Sequence, residues 1–170
     1  MAQFYRGPSA SLVLNSNSNI GDFLNMDIED IEKSWNRDSK IDDTQLDLEA
    51  LKIPVLHSRY LNIYNEEARE FHRMSELHKV LVNDKAEYYL GNMCQEDLDQ
   101  RGWSPFNLKV LKQDLQRYIE SDKDIIKEVI KIADQRNKLE TLKSILPVIN
   151  NRSFHIQNAI NWRKFTNGIN

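Results

Sequence analysis

From Ile125 onward, apolar side chains recur at Ile125, Val129, Ile132, Leu139, Leu142, Leu146 and Ile149, with Arg136 filling one position of the series. The steps of three and four residues are close to those of a coiled-coil seam, so this stretch predicts a long amphipathic helix. Ser121-Asp122-Lys123-Asp124 before it reads as a capping box with Asp in its last position, and Pro147 lies near its end. A last helix is expected over about 153–166, with Phe154, Ile160 and Phe165 apolar. Earlier in the chain, Asp27 is placed to cap a short acidic helix reaching about Arg37. A second start at Asp42-Asp43-Thr44 opens a face made of Leu46, Ala50, Ile53, Leu56, Tyr60 and Tyr64. Pro54 falls inside that run and is expected to kink or interrupt it. Another helix is expected over about 65–90, with Phe71, Met74, Leu77, Leu81 and Tyr88 on its apolar side and Gly91 ending it. Residues 91–107 read as a connection, and 109–119 as helix. No segment keeps a strand-like alternation, so the fold class is all-α: an elongated subunit of long amphipathic helices.

Composition agrees with long helices. Five glycines and four prolines in 170 residues are too few for a turn-rich β fold. A hydrophobic fraction of 40% against 29% charged allows a core without making it generous, and elongated chains of this kind often complete their cores by self-association. Residues 1–25, with the polar run Asn15-Ser16-Asn17-Ser18-Asn19, read as a flexible extension. Residues 26–104 form an amino-terminal helical region, and 105–170 a carboxyl-terminal region suited to oligomerisation. Cys94 is the single cysteine, and no apolar run is long enough for a signal peptide or membrane span. A soluble cytoplasmic protein is the expectation.

The chemistry of catalysis is hard to find. His57, His72, His78 and His155 match neither an HExxH pattern nor the Glu-x-x-His spacing of helical di-iron sites. Cys94 has no second cysteine or clustered histidine to build a zinc site, and no glycine-rich phosphate loop is present. The expectation is a non-enzymatic protein without cofactor or metal.

Charge adds a direction. Residues 1–50 carry 4 basic and 10 acidic side chains, whereas residues 101–170 carry 13 and 7. Such a gradient fits either a basic surface for a polyanion or helix faces that attract each other across an oligomer. The stretch 69–91 combines Arg69, Arg73, Lys79 and Lys85 with Phe71, Tyr88 and Tyr89. Cations neutralise phosphates and aromatic faces stack unpaired bases, so Lys85, Tyr88 and Tyr89, on one side of a helix, are candidates for single-strand binding. The alternative is a solvated amphipathic helix whose tyrosines pack inward, diluted by six neighbouring acids from Glu66 to Glu87. The seam residues are likewise open to two readings, packing within the chain or a subunit interface, and the latter would add Trp162.

Several segments together resemble the recombination mediators of T4-type phages, the UvsY-like family. Met26-Asp27-Ile28-Glu29-Asp30-Ile31 resembles the beginning of those proteins, followed at matching spacing by Ile41-Asp42-Asp43-Thr44-Gln45-Leu46 and Glu49-Ala50. Ala86-Glu87-Tyr88-Tyr89-Leu90-Gly91 is similar to the family's acidic residue, tyrosine pair and glycine. Ser121-Asp122-Lys123-Asp124-Ile125 resembles an SADKDVL-like segment, and Phe154-His155-Ile156-Gln157-Asn158 an AIKHIQDM-like one. The resemblance spans about residues 26–168.

It implies carboxyl-terminal helices that assemble a homo-oligomeric ring or barrel. It also implies binding of single-stranded DNA, displacement of the phage single-strand-binding protein, and loading of the RecA-like recombinase UvsX in recombination, replication and repair. The family places two basic residues just before its tyrosine pair and relates them to strand binding. Lys85 matches the second, but Asn83 stands at the first and Asp84 between them. The resemblance therefore implies binding shared by Lys85, Tyr88 and Tyr89 with Lys79, Arg73, Arg163 and Lys164. A helical protein–protein adaptor without nucleic-acid binding is the competing expectation.

Overall fold

A computed structural model describes residues 26–108 and 110–168, and among them every regular element is a helix. In chain order these are α1 (Ile28–Asp38), α2 (Leu46–Leu90), α3 (Gln95–Arg101), α4 (Leu115–Glu120) and α5 (Lys123–Thr166). Helices α2 and α5, of 45 and 44 residues, run antiparallel as a hairpin about 65 Å long. Their direction follows from the pairs that join them, which step from Lys85–Asp124 through Glu67–Gln135 to Glu49–Arg152. Residues 91–122, with α3 and α4, close the hairpin at one end, here called the tip. The region expected to oligomerise and the region expected to bind a strand are thus the two arms of one hairpin.

Five expected boundaries shift. Pro54 interrupts nothing: α2 is continuous from Leu46, absorbing the two helices expected on either side of residue 65. Pro147 is passed in the same way within α5, which runs to Thr166 without a break before residue 153. Proline removes one N–H and leaves the carbonyl four residues earlier without its helical partner. Here Ala50 and Lys143 hold those positions, and both lie on the exposed side with their prolines, where water can satisfy the freed oxygen. The helix expected from Lys109, itself outside the described residues, begins at Leu115, and the 91–107 connection contains α3. The cap of α5 is Asp122 and not Ser121; its carboxylate accepts from the backbone N–H of Asp124 and Ile125. Gly91 ends α2 as expected, in a left-handed conformation (φ 74°) that a side chain would strain.

The core lies where α1 crosses the hairpin. Ile31, Tyr60, Ile63, Leu142, Ile145 and Ile149 form one buried cluster, flanked by Met26, Trp35, Ile53, Leu56, Tyr64 and Leu146. Leu142 and Ile149 of the seam, with Ile125 nearer the tip, are buried within the chain. Ile132, Leu139 and Leu146 are half-buried, whereas Val129 and Trp162 remain exposed. The seam is therefore largely consumed by packing inside the subunit. Its inward line also drifts to Gln135, Ile145, Arg152 and Ile156, which a fixed seven-residue register does not select.

Two polar devices fix the arrangement. Arg152 is 3% exposed and donates to the carbonyls of Asp38, Ser39 and Lys40 and to the Glu49 carboxylate, at 2.7–3.1 Å. It thereby satisfies the open carboxyl end of α1 and ties that end to both long helices. Midway along the hairpin, buried Gln135 donates to the backbone oxygen and the carboxylate of Glu67. A buried pair of this kind has only one partner at the right height, so it sets the register of the arms.

Candidate functional site

The sequence placed Lys85, Tyr88 and Tyr89 on one side of a helix, and the structure puts all three at the tip. Their polar atoms, however, are used inside the subunit. The Lys85 ammonium is buried, 2.6 Å from the Asp124 carboxylate and 3.0 Å from that of Asp122. It also sits 4.0 Å from the centroid of the Trp103 ring. The Tyr89 hydroxyl donates to Asp122, and the Tyr88 hydroxyl donates to the carbonyl oxygen of Ser104, both at 2.8 Å. Asp122 therefore caps α5 and anchors the last turns of α2 with one carboxylate.

The electrostatics of this node follow from its geometry. Burial alone would raise the Asp122 carboxyl. Donation from Tyr89, Lys85 and the Ile125 and Asp124 amides outweighs that and holds it below the usual carboxylate range. Burial, reinforced by the bond to Asp122 and its charge, pushes the Tyr89 hydroxyl above its ordinary range, so it stays a neutral donor. A carboxyl whose folded value is depressed contributes stability that is present above its unfolded value, near pH 4, and lost as pH falls through the folded one. Acid titration followed by Trp103-sensitive fluorescence is therefore expected to show the tip loosening below about pH 4. Asp122→Asn should flatten that acid limb; an unchanged limb would remove Asp122 as its source.

Around this node the tip gathers aromatic rings that the sequence alone did not join. Tyr88, Tyr89, Trp103, Phe106 and Tyr118 are linked by ring-centroid distances of 5.0–6.1 Å. All five are half-buried, and they form a second small core under the connecting segment. Arg101 lies over Trp103 at 5.4 Å while ion-paired with Asp84, and Arg117 lies over Tyr118 at 5.6 Å. Thus Asp84, which stands between Asn83 and Lys85, is itself ion-paired with an arginine.

The other candidate cations do not join this cluster. Arg73 and Lys79 lie along the exposed side of α2, each ion-paired one turn back, to Glu70 and Glu76. The Glu70 hydrogen bonds hold the Arg73 guanidinium above its ordinary range, and Arg73 lowers Glu70 in return. Arg163 and Lys164 stand at the open end of the hairpin, about 60 Å from the tip along α5, with Arg163 paired to Asp43 at 3.4 Å. Within one subunit the seven candidates therefore occupy three separate places.

The open end has its own character. Residues 161–168 are exposed throughout, and Phe154, Trp162 and Phe165 are 69%, 66% and 77% exposed. Leu51 and Val55 add apolar surface on the neighbouring part of α2. Among the described residues no group of His, Cys, Asp and Glu is placed to hold a metal ion, and no helix is long and apolar enough to cross a membrane.

Comparison with known proteins gives this geometry a context. A family model described as "Recombination, repair and ssDNA binding protein UvsY" matches residues 34–169. The recombination protein uvsY of Enterobacteria phage T4 is 26% identical over 143 residues, covering 84% of this chain and 99% of that protein. Two crystal structures of the bacteriophage T4 recombination mediator protein UvsY share the fold. The lattice type IV form matches with a TM-score of 0.71 at 24% identity, covering 82% of this chain and 99% of the other. The lattice type II form matches with a TM-score of 0.70 at 25% identity, covering 84% and 98%.

Proposed function

Because the chain belongs to the UvsY family of recombination, repair and single-stranded-DNA-binding proteins, we propose that it works as a non-enzymatic recombination mediator. In this reading it holds single-stranded DNA, helps displace the phage single-strand-binding protein and nucleates a filament of the RecA-like recombinase UvsX. The observation that carries the reading is the family match, which runs through α2, the tip and α5.

The physical mechanism is avidity. One subunit offers scattered, individually weak phosphate contacts, and several subunits held together multiply them without any one becoming hard to release. A strand bound this way can be passed to a partner contact by contact. Self-association is assigned to the open end. Phe154, Trp162 and Phe165, with Leu51 and Val55, are exposed apolar side chains there, while Ile125, Leu142 and Ile149 of the seam are buried inside the subunit and Ile132, Leu139 and Leu146 half-buried.

A fluorescent oligonucleotide titrated with the purified protein tests this directly. Saturable binding is expected that prefers single strand over duplex and weakens steeply with salt. A helical adaptor that binds only proteins is the second reading, favoured by the glutamate partners that neutralise Arg73 and Lys79 on α2. Absence of saturable strand binding at low salt would decide for the adaptor.

A further inference from the structure

The exposed cations among the described residues differ in their partners. Lys33, Lys52, Arg69, Arg73, Lys79 and Lys131 each face a carboxylate three or four residues away on the same helix, and such local pairs carry little outward field. Lys40, Lys112, Arg117, Lys123, Lys127, Arg136, Lys143 and Lys164 are exposed and have no carboxylate partner among the described residues. Four of these, Lys112, Arg117, Lys123 and Lys127, are concentrated in the 16 residues that lead through α4 into the first turns of α5, whereas the others are spread along the chain, and Lys123 and Lys127 share a face one turn apart.

The acids of that stretch are in part already spoken for. Asp122 and Asp124 are held by Lys85, and Asp122 also by Tyr89 and the end of α5. Glu120 accepts from Gln116, and Asp114 stands before α4. The buried Lys85 ammonium thus offsets carboxylate charge directly beside Lys123, while its contact with Trp103 ties down the connecting segment.

We propose that strand phosphates are met at the tip by Lys112, Arg117, Lys123 and Lys127, and that Lys85 is a positioning residue for them, buried between Asp122 and Asp124. This rests on the single-strand-binding reading above and names its contact surface. A lysine that is 4% exposed with two carboxylate partners cannot turn to a phosphate without leaving both carboxylates unpaired. Its removal acts on the strand through the geometry and charge of its neighbours.

The test measures oligonucleotide affinity against salt for the full-length protein and four variants. Lys123→Ala/Lys127→Ala, on the exposed face, is expected to lower affinity about ten-fold and to reduce the slope of log K against log salt by about 1.4, as for two lost single-strand contacts. Arg73→Ala/Lys79→Ala should change affinity less than about three-fold, because those charges are already paired. Lys85→Ala should weaken binding, and adding Asp124→Asn should recover much of it, since removing an acid replaces a neutralising lysine but not a phosphate contact. Unchanged affinity and slope in the Lys123/Lys127 variant would overturn the proposal. So would a Lys85→Ala defect that Asp124→Asn leaves in full. If the unsubstituted protein binds no strand at low salt, the functional reading itself fails, a different outcome from either.

Discussion

Replacing Arg152 by alanine is expected to destabilise the subunit more than any surface change, by about 3 to 5 kcal/mol. The guanidinium is 3% exposed, and its four bonds go to three carbonyls at the end of α1 and to the Glu49 carboxylate. Removing it orphans those carbonyls and leaves Glu49, itself 3% exposed, with Lys52 as its remaining charged partner. Roughly 2 to 4 °C is lost per kcal/mol in a chain of this size, so the thermal midpoint should fall by about 10 °C. Arg152→Lys should be intermediate, because one ammonium cannot span all four acceptors. A midpoint within 2 to 3 °C of the parent would mean that α1 is held by its apolar contacts through Ile31 and Trp35 and by the bonds of Asp38 to Arg59 and Tyr60.

The second large effect concerns assembly. Trp162→Asp/Phe165→Asp places two charges on the exposed open end of α5, where the rings lie 5.9 Å apart and touch none of the core. Helicity and thermal stability of the hairpin should be nearly unchanged. Light scattering should report a smaller particle. Strand affinity should fall by 10² to 10⁴, on the order of what multivalent attachment contributes. Loss of affinity with no change in mass would place the aromatic pair on the strand itself, while an unchanged mass and affinity would move the interface elsewhere on the subunit.

Helix type and approximate extent were legible because apolar spacing carries them. Gly91 and the Asp122 region were legible because end signals are local. What the spacing could not supply was the identity of the partner across the hairpin. Lys85 beside two tyrosines has the same one-dimensional pattern whether its ammonium faces water or a carboxylate 39 residues further along the chain. Arg152 belongs to the same class, since its partners lie more than 100 residues away. The seam was read in phase at Ile125, Leu142 and Ile149, and its two readings stayed open, because burial by a long helix of the same chain and burial by another copy write the same repeat. The two prolines misled in the opposite sense, since an exposed carbonyl makes a missing hydrogen bond tolerable.

The ladder of cross-hairpin pairs also dictates an order of assembly in time. The pair at the tip closes a loop of 39 residues, the central glutamine one of 68, and Arg152 with Glu49 one of 103. Closing the longest first would be entropically dearer than closing the shortest by roughly 1 kcal/mol, and each pair already made shortens the chain left to search for the next. The arms therefore zip from the tip outward, while α1 can meet α2 early, since Asp38 bonds Arg59 and Tyr60 across only 21 and 22 residues. Substitutions at the tip will consequently slow folding, while those at the Arg152 end will speed unfolding.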